Sequence, residues 1–258
     1  MTPMEKALSF TDPQGHRVAA VLTSPAESSN RAAVLCHGFL SSKNSKTNKT
    51  LTRLLTERGI ATFRFDFFGQ GESDGPFEKI TTTLAVGQAM AALDLMVAKG
   101  FRQIGLMGSS FGGLVSILTA AQRTDLACLA LKCPVVDFAE QLRLEFGEEE
   151  LVKWKETDTI PDMLGSSSRV KLAYAFYDDC LRQIAYGPAK TITAPTFIVQ
   201  GDKDEVVPLH QSQRLYDALQ TTKRLEMIAG ANHQFTNVED FRTMTTQIAD
   251  WLTGHLAG

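Results

Sequence analysis

No run of about 18 apolar residues occurs anywhere in the 258-residue chain, so no segment is expected to insert in a membrane as a helix. Cysteine is scarce. Cys36, Cys128, Cys133 and Cys180 form no C-x-x-C pair, and three of them lie in or beside apolar runs. Buried free thiols in a reducing cytoplasm are the expected state. Charge of one sign is also lacking: 26 basic against 29 acidic residues leave a net charge of -3. That balance gives no field suited to a polyanion, so nucleic acid is not an expected partner. The start, Met1-Thr2-Pro3-Met4-Glu5-Lys6, shows neither an apolar h-region nor a cleavage site, and no secretory signal is expected. The five histidines show no H-E-x-x-H spacing, so no metal site is expected, and the candidate residues read below imply no cofactor.

What is present suffices for an ordinary core. At 43% apolar and 21% charged residues, the chain can bury one without staples. Short strands are expected at Lys6 to Phe10 and Val18 to Thr23, around the Asp12-Pro13-Gln14-Gly15 turn. Then apolar runs alternate with helical spacing. Ala32 to Cys36, Ile60 to Phe65, Gln103 to Met107, Leu126 to Leu131, Thr196 to Gln200 and Lys223 to Ile228 read as strands. Asn48 to Arg58, Thr83 to Lys99, Leu114 to Ala121, Leu209 to Leu219 and Val238 to Leu252 read as helices. On the second of these the aligned face is Leu84, Ala91, Leu95 and Ala98. Such alternation indicates an α/β fold, with a mostly parallel central sheet flanked by helices. The rhythm breaks from Val135 to about Thr193, a more charged, mainly helical stretch. It holds Glu148-Glu149-Glu150, read as a solvated face, a Ser166-Ser167-Ser168 loop, and Tyr174, Phe176 and Tyr177. This stretch is expected to be an insertion over the carboxyl ends of the strands.

The strongest chemical signal is Gly108-Ser109-Ser110-Phe111-Gly112-Gly113. It lies between a strand and a helix, the setting a G-x-S-x-G nucleophile elbow requires. The flanking glycines allow a turn sharp enough to lift the Ser110 hydroxyl clear and to aim the Phe111 N–H at the same space. A P-loop is excluded because no G-x-x-x-x-G-K-[ST] is present, and the first parallel strand ends in His37-Gly38-Phe39-Leu40 rather than a dinucleotide-binding G-x-G-x-x-G. Phe39 and Phe111 are the expected backbone donors of an oxyanion hole, and His37 is expected to brace its loop. Gly201-Asp202-Lys203-Asp204 and Gly230-Ala231-Asn232-His233 both follow strands. The order is therefore serine, acid, histidine. His233 is the candidate base for Ser110, and spacing alone does not choose between Asp202 and Asp204.

These segments, with Phe65-Asp66-Phe67-Phe68-Gly69-Gln70-Gly71-Glu72-Ser73 and Glu205-Val206-Val207-Pro208, resemble the α/β-hydrolase family over nearly the whole chain. The resemblance implies that the acid is Asp204. Gln70 departs from the commoner histidine at its position, one not normally catalytic. More narrowly the chain resembles the small bacterial cinnamoyl and feruloyl esterases. That implies an α/β-hydrolase core at 1–134 and 194–258, with a lid at 135–193 inserted after the sixth strand. It also implies substrate contacts from Asp137 and Tyr177 to a phenolic hydroxyl. The expected activity is hydrolysis of small or medium carboxylic esters, hydroxycinnamoyl-type among them, through an acyl-enzyme. Thioesterase, serine aminopeptidase and non-catalytic ligand binding are the alternatives. The expected partner is a small-molecule ester, and a homodimer is expected from general frequency alone.

Overall fold

The computed structural model describes residues 3–158, 160 and 171–257; Ser166 to Ser168 lie outside them. Eight strands form one sheet in the order β1-β2-β4-β3-β5-β6-β7-β8. They are β1 Met4–Thr11, β2 Arg17–Ser24, β3 Arg31–Cys36, β4 Ala61–Phe65, β5 Gln103–Ser109, β6 Cys128–Lys132, β7 Thr196–Gly201 and β8 Lys223–Ile228. β2 runs antiparallel to β1 and β4, and the other neighbours are parallel. This is the α/β-hydrolase fold.

Helices α1 Lys46–Thr56, α2 Thr82–Ala98, α3 Phe111–Ala120, α7 Leu209–Ala218 and α8 Val238–Leu256 connect and cover the strands. The helix starts follow their caps. Ser45 accepts the Asn48 N–H, so α1 begins two residues before the apolar spacing does, and Asn237 caps α8 in the same way. Gly59 and Gly100, at φ 74° and 94°, stop α1 and α2. α2 differs from expectation in its face. Ala85, Ala89, Ala92, Leu93 and Met96 are buried, whereas Ala91 and Leu95 are only half-buried and Ala98 is exposed. A helix with alanine on all sides has no sharp apolar stripe. Close approach of the small residues to the sheet therefore decided the rotation.

The sheet separates two cores. One, toward α2 and α3, contains Phe63, Phe65, Phe67, Phe111 and Leu131. The other, toward α1 and α8, contains Leu51, Leu55, Met107, Ala130 and Ile248. All ten residues of α3 are buried. Between β6 and β7 lie α4 Phe138–Thr157, broken at Gly147 (φ 74°), α5 Ala175–Cys180 and α6 Tyr186–Ala189. Trp154 of α4 is buried and donates its indole N–H to Leu172 O at 2.6 Å. Glu148 and Glu149 are exposed, and all four cysteines are buried free thiols.

Candidate active site

Ser110 stands between β5 and α3 with φ 52° and ψ −116°, a conformation few side-chain-bearing residues adopt. Its surroundings hold it there. The Ser110 N–H donates to Lys132 O at 2.9 Å, and its carbonyl accepts the N–H groups of Gly113, Leu114 and Val135. The neighbouring glycines are needed for close approach. A Cβ at Gly108 would lie 2.2 Å from Gly112 O, and one at Gly113 would lie 2.8 Å from Pro134. Phe111 is the first residue of α3, so its N–H has no intrahelical acceptor.

The loop after β8 brings His233 to the loop after β7. His233 Nδ1 lies 2.9 Å from both carboxylate oxygens of Asp204. An ionised carboxylate only accepts, so Nδ1 carries a proton, and in the neutral imidazole Nε2 is the acceptor. Burial alone would raise the Asp204 pKa. The His233 hydrogen bond and charge, together with the Val207 and Val206 N–H groups, outweigh it and hold the carboxyl below its ordinary range. Gln200 Nε2 also donates to Asp204 Oδ2 at 3.0 Å. Asp202 serves elsewhere, accepting the Gly230 N–H at 2.7 Å and so tying the two loops together.

The loop after β3 passes directly over Ser110, and a Cβ at Gly38 would lie 3.6 Å from Ser110 Cβ. Phe39 follows at once. His37 braces this loop from beneath. Its Nε2 accepts the Phe67 N–H at 3.1 Å, which fixes the proton on Nδ1, and Nδ1 donates to Gly38 O at 2.7 Å. Gln70 Oε1 accepts the Ser41 N–H at 3.2 Å. The departure at Gln70 is thus a loop contact.

Ser110 and His233 line one cavity of about 350 Å³ with Phe39, Phe138, Gln141 and Val206. Among the described residues, no hydrogen bond joins the Ser110 hydroxyl to the imidazole. Phe111 is fully buried, and its ring packs on Phe39 at 5.4 Å. Neither Asp137 nor Tyr177 lines this cavity. Asp137 Oδ1 caps α4 by accepting the Glu140 N–H at 2.8 Å, and the Tyr177 hydroxyl accepts from Arg143 at 3.2 Å. A residue that begins a helix uses its carboxylate on the helix's own first turn. The α4 residues that do face the cavity are Phe138, Gln141 and Glu145. Their i, i+3, i+7 spacing marks one helical face, a signal present in the sequence but not used. Gln200, Lys43 and Lys132 were missed as well, because buried polar partners leave no periodic trace.

Cys133 Sγ, an Asp204 oxygen and a His233 nitrogen lie within 4.8 Å of one another. Burial pushes the Cys133 thiol up to about 12, so it stays protonated at neutral pH. Asp204 and His233 are engaged with each other. The arrangement suits an oriented imidazole better than a metal ligand set.

The prolyl oligopeptidase family model matches residues 46–258. The mitochondrial palmitoyl-protein thioesterase ABHD10 of Rattus norvegicus is 26% identical over 193 residues, which cover 73% of this chain and 63% of that protein. An uncharacterized 31.7 kDa protein of the traX-finO intergenic region of Escherichia coli is 26% identical over 235 residues, 78% of this chain and 82% of its own. Among solved structures, Est1E from Butyrivibrio proteoclasticus with bound ferulic acid superposes with a TM-score of 0.85 at 24% identity, covering 98% of this chain and all of that one. No helix among the described residues is long and apolar enough to cross a membrane. With a matched segment running from the first turn of α1 to the C-terminus, the chain belongs to the prolyl oligopeptidase family of α/β hydrolases.

Proposed function

We propose that the protein is a serine carboxylic-ester hydrolase acting through an acyl-enzyme on Ser110. The observation that carries this reading is the pairing of a carboxylate-oriented imidazole, His233 on Asp204, with a serine held at φ 52° in one cavity. Ser110 attacks the ester carbonyl while His233 Nε2 takes its proton. The Phe39 and Phe111 N–H groups stabilise the oxyanion. The alcohol leaves with the proton from His233, and water then repeats the sequence on the acyl-enzyme.

The acyl group we propose is small to medium and aromatic, of the hydroxycinnamoyl type. Support comes from the Phe39 and Phe138 rings on the cavity wall and from the fold shared with a ferulate-binding esterase. Residues 135–193 are the stretch proposed as a lid, residues 159 and 161–170 of it lying outside those the structure describes, and the lack of disulfides among the four cysteines supports a cytoplasmic setting. A thioester is the second substrate reading, favoured by the name of the rat relative. Matched aryl-acrylate esters, thioesters and amides, assayed on wild type and Ser110→Ala, test both. The ester is expected to show a burst that Ser110→Ala abolishes. A burst that survives the substitution, or turnover of amides alone, overturns the reading.

A further inference from the structure

The carboxyl edge of the sheet divides the cavity into two halves, and the one toward α1 and α8 carries the ammonium groups, with Phe241 beside Lys46. Along β6, Leu129 and Leu131 enter the core toward α2 and α3, while Cys128 and Ala130 enter the core toward α1 and α8. Strand alternation therefore sends Lys132 to the α1–α8 side. Met107 faces that side on β5, so Ser109 does too, and Ser109 and Lys132 are register partners. Both line the cavity that holds Ser110, together with Ser45, Lys46 and Thr47. The aromatic half, with Phe39 and Phe138, carries Glu145, the one acid among the described residues of the lining.

Three features of the polar half select an anion. Lys132 is only 5% exposed, and its ammonium donates to His233 O at 2.7 Å. Among the described residues no carboxylate forms an ion pair with it, although buried charges are ordinarily paired. An ammonium has three donors, and one carbonyl, with the Phe235 ring 5.3 Å away, does not use them all. Ser109 Oγ is shut from solvent and has no hydrogen-bond partner. The N-terminus of α1 also opens here. The Ser45 side chain takes the Asn48 N–H, which leaves the Lys46 and Thr47 N–H groups without intrahelical acceptors at the positive end of the helix dipole.

We propose that this half binds an oxyanion group of the substrate, a carboxylate or a phosphate, on the part of the molecule away from α4. Resting on the hydrolase reading, with the aromatic acyl group against Phe39 and Phe138, the anion belongs to the leaving alcohol or thiol. Lys132 and Ser109 are then specificity residues for the leaving group.

The test is equilibrium binding of three cinnamoyl esters to the Ser110→Ala protein by titration calorimetry. The leaving groups are 4-hydroxybenzoate, 4-hydroxyphenylphosphonate and neutral 4-hydroxybenzamide. At least one anionic ester is expected to bind tenfold or more tighter than the neutral one, and its rank against the other identifies the oxyanion. Lys132→Met is expected to reduce that advantage below twofold, and Lys132→Arg to retain most of it. Equal binding of all three esters overturns the proposal. So does a Lys132→Met variant that weakens all three alike, the result of a role confined to holding the His233 loop. Should Lys132→Met not fold, Ser109→Ala and Lys46→Gln each replace it, with a threefold loss of the advantage expected and an unchanged advantage in both overturning it. Because these proteins lack the serine hydroxyl, binding is read apart from turnover. Wild type without a burst sinks the hydrolase reading and leaves the binding result standing.

Discussion

Lys43 Nζ meets Asp66 Oδ2 at 2.5 Å, with both side chains almost wholly shut off from water. Asp66 Oδ1 also accepts the Lys43 N–H at 2.6 Å, and Oδ2 the Glu72 N–H at 2.9 Å. This carboxylate ties the loop after β3, which carries Phe39, to the loop after β4. Glu72 shares the same ammonium, but its side chain is 75% exposed. The two arms of the network therefore carry different weight: the buried one loses a compensated charge when broken, and the exposed one is screened by solvent.

Lys43→Met is accordingly expected to destabilise the fold by about 3–5 kcal/mol, the cost of a buried carboxylate left without its ammonium. Glu72→Gln should cost less than about 1 kcal/mol. Urea unfolding of both variants measures the difference, and comparable losses would show that Asp66 is satisfied without the lysine.

The imidazole of His37 is buried between Gly38 O and the Phe67 N–H. Burial lowers its pKa from 6.5 to about 4, against partial opposition from the Gly38 carbonyl and the Asp66 charge. The folded value lies below the unfolded one, so on acidification the unfolded chain takes up the proton first. The stabilisation is complete above about pH 6.5 and declines toward about pH 4, by roughly 3 kcal/mol in all. His37→Asn should be less stable than wild type at pH 7.5, by about 1–2 kcal/mol for its lost hydrogen bonds. It should also lack most of the decline between pH 6.5 and 4. Parallel stability curves for the two proteins over that window would place the acid lability elsewhere.

Asp204→Asn would replace an acceptor-only carboxylate with an amide that can present N–H to Nδ1. The imidazole then has reason to carry its proton on Nε2, the wrong nitrogen for a base. A loss of kcat on the order of 10³–10⁴ is expected, with KM changed little. Asp202→Asn keeps an oxygen for the Gly230 N–H and should retain kcat within about threefold. Steady-state kinetics on one ester separates the two aspartates, and an equal loss in both would reassign the acid.

A Cβ at Gly112 would stand 2.4 Å from His37 O and 2.5 Å from Cys36 O, both backbone atoms of a buried strand end. Gly112→Ala is expected to cost about 3 kcal/mol or more and to displace the elbow. Gly187→Ala meets open space and should stay within about 0.5 kcal/mol of wild type. Thermal unfolding of the two variants decides whether close approach, rather than glycine as such, is the constraint.

Asp137→Ala removes the cap of α4 and should cost about 1 kcal/mol, with kcat/KM for a cinnamoyl ester within about threefold of wild type. Gln141, whose Oε1 is buried without a partner, reaches the cavity from the next turn. Gln141→Leu should change KM more than Asp137→Ala does. A large KM effect from Asp137→Ala alone would support the phenol contact that the resemblance implies.

The sequence by itself determined the sheet and its order of parts. Continuous apolar runs, glycine stops and capping residues are local signals, so every strand from β1 to β8 was legible to within a few residues. The same holds for the turns bearing Ser110, Asp204 and His233. Those turns depend on small flanking residues and on placement after a strand, and both can be read along the chain. Only the tertiary structure decided what lies between distant segments. It gave Asp204 rather than Asp202 the imidazole, because two loops from neighbouring strands β7 and β8 meet at that depth. It turned Asp137 onto its own helix and Gln141 toward the cavity. It also buried Lys43 on Asp66 and Lys132 on a carbonyl, with no carboxylate paired to it among the described residues. A lysine in a strand or loop looks the same in sequence whether it meets solvent, an acid or an empty polar space, since that difference is made by residues remote in the chain.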